Sequence, residues 1–258
     1  MRVYGRPDGP PMLFAHGFGC DQGMWRFVAP AFEDTHRVVL FDHMGFGSSQ
    51  PGDAYDPDRY ATLDGYADDV LRICEALDLT GVVFVGHSVS SMIGAIAAAR
   101  VPDRFAQLVM IGPSPRYIDD PETHYEGGFS AGDIDGLLDA LTANYAGWAT
   151  GIAPVIMGNP DRPELAGELA DTFCRADPEM AHRFAKATFL GDNRRDLAQV
   201  PVPTLVLQCT ADVIAPEAVG RYVARQIPDS TFHLLGATGH CPNLSAPAET
   251  IAAMQAFV

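Results

Sequence analysis

Short apolar runs alternate with helix-like stretches along most of this 258-residue chain. Continuous apolar runs of strand length between amphipathic helices are typical of a mostly parallel sheet covered by helices on both faces, so the pattern predicts an α/β fold. The clearest helical stretch is LDGYADDVLRICEALDL (63–79). The six runs are PMLFAHGFG (11–19), HRVVLFDHMGFG (36–47), GVVFVGHS (81–88), FAQLVMIGPSP (105–115), VPTLVLQCTAD (202–212) and the weaker STFHLLGATGHC (230–241).

The alternation stops between residues 117 and 198, where every periodic stretch reads as a helix. Glycine and proline separate these stretches, and the DP at 177–178 and the NPDRP at 159–163 are typical of helix starts or turns. Strand-like sequence resumes at Val202. We therefore predict a core domain formed by residues 1–116 and 199–258, with a helical cap, or lid, formed by residues 117–198 over one end of the sheet.

One strand-to-helix junction, FVGHSVSSMIG (84–94), carries a serine between small residues. A hydroxyl is a poor nucleophile at neutral pH, and to react it must stand clear of its own backbone beside a base. A sharp turn between a strand and a helix achieves this when the neighbouring residues are small. Gly86 and Ser90 are the small residues here, although the second is usually glycine. Ser88 is thus a candidate nucleophile; the alternative is an ordinary helix N-cap.

A serine nucleophile also needs donors for the oxyanion that forms on the substrate carbonyl. One donor is expected from the residue after the nucleophile, Val89. The other is expected from the loop after an early strand, where AHGFG (15–19) follows the run PMLF. The N–H of Phe18 is the candidate, since Gly17 and Gly19 let this loop bend.

The base and its orienting acid are expected in the chain order Ser, Asp or Glu, His. His240 lies in a loop after the last strand-like run, and Asp212 follows the preceding run. His233 falls inside the run STFHLL and is interpreted as structural. An Asp after a strand is usually only a turn residue, but three matches in order favour Ser88, Asp212 and His240 as a triad.

Four further polar residues touch these motifs and receive no proton-transfer role. His16 and His87 are interpreted as packing residues near the site. Asp42 and His43 are interpreted as part of the turn after the second strand. A serine at position 88 also excludes the aspartyl nucleophile found in dehalogenases and epoxide hydrolases of similar architecture.

Charge and cysteine content narrow the classes of partner and compartment. The formal net charge of −16 argues against nucleic-acid and membrane partners, because such a surface repels phosphate. No apolar stretch reaches the length of a membrane span, and the N-terminus lacks an apolar signal segment, so we predict a cytoplasmic protein. No Cys/His cluster has metal spacing, and neither a metal nor a cofactor is predicted. The five scattered cysteines, read as free thiols, are Cys20, Cys74, Cys174, Cys209 and Cys241.

These motifs resemble those of an α/β hydrolase of the RsbQ type, close to the plant strigolactone and karrikin receptors. The resemblance covers nearly the whole chain. Its segments are AHGFGCDQGMW, HRVVLFDHMGFGSS, YADDVLRICEALDL, FVGHSVSSMIG, LVMIGPSPRYIDD, YEGGF, NYAGWATGIAP, RPELAGELADTFC, FAKATFLGDNRRDL, QCTADVIAP and GHCPNLSAP. The family's first strand is longer than MRVYGRPDGPPM permits, so we expect a clipped start or a reduced first hairpin.

The resemblance implies an α/β-hydrolase fold with a four-helix, V-shaped cap inserted over a small apolar pocket. It assigns the triad to Ser88, Asp212 and His240. The residues that it implies for the pocket lining are Phe18, Phe129, Leu137, Trp148, Ile152, Phe189 and Ile214; their alternative role is ordinary packing inside the cap.

Two functions are compatible with this pattern. The first is a serine hydrolase acting on a small apolar ester or lactone. The second is a ligand receptor with slow turnover that acts through a protein partner, for which the resemblance implies a stress-signalling role and a partner such as a phosphatase. Both need the triad, so the rate of turnover is what separates them.

Overall fold

The computed structural model describes residues 1–52 and 55–258. In this part of the chain the strands are β1 (Arg2–Gly5), β2 (Pro11–Ala15), β3 (Arg37–Phe41), β4 (Val82–His87), β5 (Phe105–Ile111), β6 (Thr204–Ala211) and β7 (Ser230–Thr238). They form one seven-stranded sheet in the order β1-β3-β2-β4-β5-β6-β7. All neighbouring strands are parallel except β1 and β3. The predicted α/β-hydrolase architecture with a mostly parallel sheet is confirmed.

The helices in the described residues are α1 (Leu63–Ala76), α2 (Val89–Arg100), α3 (Ala131–Ala143), α4 (Tyr145–Met157), α5 (Pro163–Cys174), α6 (Pro178–Phe189), α7 (Glu217–Gln226), α8 (Pro242–Ser245) and α9 (Pro247–Gln255). Helices α1, α2 and α7 contribute to the core on one face of the sheet, and α8 and α9 to the core on the other. Successive residues of β2 alternate between these layers: Leu13 and Ala15 face one, Met12 and Phe14 the other. Burial on both faces explains why the strands read as continuous apolar runs.

The edge strand β1 was absent from the sequence prediction. Its four residues pair with β3 in antiparallel register, from Arg2 opposite Leu40 to Gly5 opposite Arg37. They are mostly exposed and carry no continuous apolar run. An edge strand with so little burial leaves only a weak pattern, because alternation or continuous hydrophobicity arises only where a face is covered.

Helices α3, α4, α5 and α6 occupy the chain between β5 and β6. Ser130 begins α3 with a reciprocal capping box to Asp133, and Asp177 caps α6 just before Pro178. The predicted helix start at DP (177–178) is therefore confirmed. Two ion pairs, Arg26–Glu168 and Arg175–Asp21, join α5 to the segment that follows β2.

Candidate active site

Ser88 occupies a sharp turn between β4 and α2. Its φ of +56° and ψ of −125° are rare for a non-glycine residue, and such strain is characteristic of functional turns. The turn brings the backbone of Gly86 against the first turn of α2. A Cβ placed on Gly86 would lie 2.5 Å from the carbonyl oxygen of Ser90, so the turn requires glycine there.

Three side chains from three different loops meet at this turn. His240 Nε2 lies 2.8 Å from Ser88 Oγ, and His240 Nδ1 lies 2.7 Å from Asp212 Oδ2. All three residues are buried. Ser88 follows β4, Asp212 follows β6 and His240 follows β7, so the carboxyl ends of three strands at the same edge of the parallel sheet bring the groups together. A hydroxyl, an imidazole and a carboxylate in this order can transfer a proton from Ser88 to His240.

The carboxylate of Asp212 is held in its ionised form. Burial by itself would raise its pKa, but the His240 ring and the backbone amides of Ala215 and Ile214 outweigh burial and hold that pKa below its usual range. The two amides donate to Oδ1 over 3.0 and 2.8 Å, which leaves Oδ2 for His240. Asp212 can therefore accept a hydrogen bond from Nδ1–H and fix the tautomer whose Nε2 accepts from Ser88.

The backbone of His240 is held on both sides. Its N–H donates to the carbonyl of Ile156 in the last turn of α4, over 2.8 Å. Its carbonyl accepts from His87 Nε2 over 2.7 Å. Burial, together with the nearby His240 ring, lowers the pKa of His87 to about 3, so His87 is a neutral donor. A Cβ on Gly239 would lie 1.8 Å from the carbonyl of Met157, which shows how closely α4 approaches this loop.

The two expected oxyanion donors lie in segments that flank Ser88. Val89 is the first residue of α2, where helix geometry leaves the amide without an intrahelical acceptor and where negative charge is favoured. Phe18 lies in the loop after β2, which runs against the turn: a Cβ on Gly17 would lie 3.3 Å from Ser88 Cβ.

A buried polar network explains the serine at the second small position of the turn. Ser90 Oγ donates to the carbonyl of His16 and lies 2.7 Å from His43 Nε2. The backbone N–H of His43 donates to His16 Nε2 over 3.0 Å. Burial lowers the pKa of both His16 and His43, so both rings are neutral. These contacts join the loops after β2 and β3 to α2, as expected of packing residues.

Ser90→Ala should destabilise the fold while leaving the Ser88 turn sterically possible. The substitution leaves the buried carbonyl of His16 and the buried Nε2–H of His43 without partners. Each unpaired group lowers the free energy of unfolding by about 1–3 kcal/mol. The free energy of unfolding, measured in urea, should fall by more than in Ser91→Ala, which loses only one hydrogen bond, to Gly86. Equal stability of Ser90→Ala and the unsubstituted protein would contradict this account of the network.

A narrow, mainly apolar cavity of about 40 Å³ is lined by Ser88 and His240. Four aromatic rings close over it, one from the loop after β2 and three from helices α4, α5 and α6: Phe18 lies 6.1 Å from Trp148, 6.2 Å from Phe173 and 5.7 Å from Phe189 between ring centroids. Six of the residues expected to line the pocket do so, namely Phe18, Leu137, Trp148, Ile152, Phe189 and Ile214.

Phe129 is the exception and corrects the expected lining. Its ring packs against Tyr117 with 6.4 Å between centroids, and its N–H donates to the Tyr117 carbonyl. Tyr117 thus stands at the cavity in place of Phe129. The lining residues that sequence reasoning missed are Cys20, His87, Tyr117, Ile156, Leu169, Phe173, Thr188 and Cys241. The helical spacing of Leu165, Leu169 and Phe173 in α5 is a signal that could have marked two of them, but nothing local marks Tyr117 or Thr188.

The other acidic residues near the motifs have structural partners. Asp42 accepts four hydrogen bonds, from the backbone and side chains of Gln22 and Ser48. Asp119 accepts from two backbone amides, and Asp120 pairs with Arg194. Asp42 therefore anchors the turn after β3, as the sequence interpretation held.

Residues 1–52 and 55–258 contain neither a cluster of metal-ligating side chains nor a membrane-spanning helix. They contain no group of three or more His, Cys, Asp or Glu side chains arranged to hold a metal ion. No helix there combines the length and apolarity needed to cross a bilayer.

Comparison with known proteins extends the likeness over the whole chain. Residues 12–253 match the model of the alpha/beta hydrolase family. The chain is 41% identical to strigolactone esterase D14 of Arabidopsis thaliana over 96% of this chain and 92% of that protein. It is 38% identical to karrikin insensitive 2 receptor CA of Petunia hybrida, over 92% and 87%.

A solved structure shows the same likeness in three dimensions. A hydrolase from Oleispira antarctica superimposes with a TM-score of 0.95 at 41% identity, over 99% of this chain and 93% of that one. The family match, the shared fold and the buried Ser88–His240–Asp212 arrangement agree: this chain belongs to the alpha/beta hydrolase family.

Proposed function

We propose that the chain is a serine hydrolase that cleaves a small apolar ester or lactone, with Ser88, His240 and Asp212 as its catalytic triad. The observation that carries the proposal is the hydrogen-bonded chain from Ser88 through His240 to Asp212 beneath an apolar cavity. The chain's relatives include an esterase, which supports an enzyme that acts on ester bonds.

The proposed reaction has two steps. Ser88 Oγ attacks the substrate carbonyl while His240 Nε2 takes the hydroxyl proton, and Asp212 stabilises the imidazolium that forms. The amides of Val89 and Phe18 receive the oxyanion. His240 then passes its proton to the leaving oxygen, and the acyl group stays on Ser88. Water, deprotonated by His240, attacks this ester and releases the acid and Ser88.

Trapping the acyl intermediate tests the proposed reaction directly. After mixing with p-nitrophenyl acetate and rapid quenching in acid, intact-protein mass spectrometry should show one added acetyl group. Peptide mapping should locate it on Ser88. The mass shift should be absent from Ser88→Ala. An acetyl group mapped to another residue, with Ser88 unmodified, would contradict the assignment.

Activity should peak at short acyl esters and fall steeply with chain length. The cavity of about 40 Å³ is walled by bulky side chains that fill the space a long chain would need. Trp148 is one of these walls and stacks on Phe173 at 5.8 Å. Trp148→Ala should therefore extend the preference toward longer chains. The measurement is kcat/KM for p-nitrophenyl esters from acetate to laurate in both proteins.

Val155→Ala is the matched control for this change. Val155 lies on the same helix, α4, but its side chain is exposed. The chain-length profile of Val155→Ala should equal that of the unsubstituted protein. A general loosening of α4 would instead alter the profiles of both Val155→Ala and Trp148→Ala. A preference of the unsubstituted protein for the longest esters would contradict the small-pocket proposal and indicate an open, lipase-like cleft.

The second candidate is a ligand receptor that turns over slowly and acts through a protein partner. It is favoured by the receptor relative and by the contacts that join the cap to the catalytic loop, notably the bond from His240 N–H to Ile156. Pre-steady-state kinetics separate the two functions. A burst of one equivalent of p-nitrophenol followed by very slow release supports the receptor, while linear fast turnover supports the ordinary hydrolase.

A further inference from the structure

Two hydroxyl groups in the wall of the cavity lack a protein partner. The phenol of Tyr117 and the Oγ1 of Thr188 form no hydrogen bond with any described residue. Both side chains line the cavity and are almost completely buried, at 2% and 5% exposure. An unpaired hydroxyl in an apolar environment is costly, so two of them at one cavity need a reason.

Three comparable Tyr and Thr hydroxyls elsewhere in the described residues have protein partners. The phenol of Tyr125 donates to the carbonyl of Arg116 over 2.6 Å, and that of Tyr145 donates to the carbonyl of Phe173 over 2.9 Å. Thr204 Oγ1, also buried, donates to the carbonyl of Val202 over 3.0 Å. The hydroxyls of Tyr117 and Thr188 contrast with these three. Ser245 Oγ is a further buried hydroxyl without a partner among the described residues, but it does not line the cavity.

The two groups approach the cavity from different parts of the chain. Tyr117 lies in the loop after β5, and its ring packs on Phe189 at 4.9 Å between centroids. Thr188 lies in the last turn of α6, in the segment predicted as the cap. Core and cap thus each supply one hydroxyl to the same cavity.

Tyr117 is a donor beside the nucleophile. Burial raises the pKa of its phenol and the nearby Ser88 hydroxyl lowers it, with a resulting pKa of about 12, so the phenol keeps its proton at neutral pH. Ser88 Oγ is bonded to His240 and forms no hydrogen bond of good geometry with the phenol. The Tyr117 proton is therefore available to a ligand.

A ligand that enters the cavity must replace any water that these hydroxyls bind. A space of about 40 Å³ is large enough to hold water, since one molecule needs at least about 10–15 Å³. A purely hydrocarbon ligand would displace that water and leave both hydroxyls bare, which lowers affinity. A ligand with an oxygen at the right place would pair with them instead, and sites of this kind discriminate strongly against analogues that lack the polar atom.

We propose that Tyr117 and Thr188 form a polar subsite that binds a second oxygen atom of the substrate, distinct from the scissile carbonyl. The substrate class is then a small ester or lactone that carries an additional ether, ring or carbonyl oxygen. This inference rests on the proposed hydrolase function, since it deepens the description of the same site.

Isosteric ester pairs test the subsite on either side of the scissile bond. On the acyl side, p-nitrophenyl methoxyacetate replaces one methylene of p-nitrophenyl butyrate by oxygen. On the alcohol side, 2-methoxyethyl acetate does the same for butyl acetate. For each pair, kcat/KM of the oxygenated ester is divided by that of its hydrocarbon partner. When this ratio is compared between variants, the difference in intrinsic reactivity between the two esters and any general loss of activity both cancel.

Tyr117→Phe and Thr188→Val should each lower the ratio about five-fold for at least one pair, the size of one hydrogen bond. Tyr125→Phe and Thr204→Val are matched controls, because each removes a buried hydroxyl away from the cavity. Their ratios should equal that of the unsubstituted protein. Unchanged ratios in both cavity variants would overturn the proposed subsite. A changed ratio in only one variant would overturn the proposal that Tyr117 and Thr188 act together.

Thermal unfolding gives a readout that does not depend on turnover. Tyr117→Phe removes no protein hydrogen bond and should leave Tm within about 1 °C, whereas Tyr125→Phe should lower Tm by about 2–4 °C. A comparable fall in Tyr117→Phe would mean that its hydroxyl has a structural partner, and would overturn the proposal. Ester hydrolysis that survives in Ser88→Ala would instead overturn the proposed function itself.

Discussion

Replacing Ser88 by alanine should abolish ester hydrolysis and leave the fold intact. The Ser88 hydroxyl contacts His240 and no other hydrogen-bond partner among the described residues, so its removal costs little structural stability. The chemistry has no substitute nucleophile at this position. We expect kcat for p-nitrophenyl acetate or butyrate to fall by several orders of magnitude, up to about 10⁶, the loss measured in subtilisin.

Ser91→Ala is the control for a serine removed from the same helix. Ser91 Oγ donates to the carbonyl of Gly86 and is not part of the cavity wall. This variant should keep nearly normal kcat, with circular dichroism and Tm recorded for both proteins. Comparable hydrolysis rates in Ser88→Ala and the unsubstituted protein would remove the triad assignment altogether.

Asp212→Asn should lower kcat by about 10⁴ without disturbing the loop, by analogy with the same substitution in chymotrypsin-type triads. The asparagine oxygen can still accept from the amides of Ile214 and Ala215. Its NH₂ group would then face His240 Nδ1 and favour the tautomer that carries a proton on Nε2. That tautomer cannot accept the proton of Ser88, so the nucleophile stays inactive.

Asp119→Asn and Asp120→Asn are the matched carboxylate controls. Asp119 accepts from the amides of Gly127 and Gly128, and Asp120 pairs with Arg194, so neither should affect kcat strongly. If Asp212→Asn keeps near-normal activity while one of these two variants loses it, the orienting acid lies in the loop after β5 instead.

Ser88→Ala and Asp212→Asn, compared with the two cavity variants, separate the roles of the triad from those of the subsite. Ser88→Ala and Asp212→Asn lower kcat for every ester, because the first removes the attacking hydroxyl and the second removes the group that orients its base. Tyr117→Phe and Thr188→Val act on the ratio between isosteric esters. A chain that loses activity with Ser88 and Asp212 but shows no oxygen preference is a hydrolase with a simple apolar pocket.

Much of the fold was predictable because strands and helices leave a local periodicity in the sequence. A strand buried on both faces gives a continuous apolar run, and an amphipathic helix repeats its apolar residues every three to four positions. The runs that became β2 to β6 have this form, whereas β7, at the other edge of the sheet, is only partly buried and gave the weaker run. The edge strand β1 lacks this form, since one neighbour and exposed side chains impose no such pattern.

The order of the candidate triad was also predictable from the sequence. In parallel α/β sheets, functional residues lie in loops at the carboxyl ends of strands, and each of Ser88, Asp212 and His240 directly follows an apolar run. What local sequence did not reveal was why Ser90 replaces the usual glycine. That depended on His16 and His43, 74 and 47 residues away along the chain.

The sequence by itself determined the types of most elements and the chain order of the candidate triad, because these follow from residue chemistry and local spacing. The apolar pocket was implied by the family resemblance. Only the tertiary structure decided which side chains wall the cavity. It placed Tyr117 where Phe129 was expected and brought Thr188 to the same space. The reason is physical: lining a cavity depends on how distant helices and loops pack, and packing between segments leaves no periodic signal in either one.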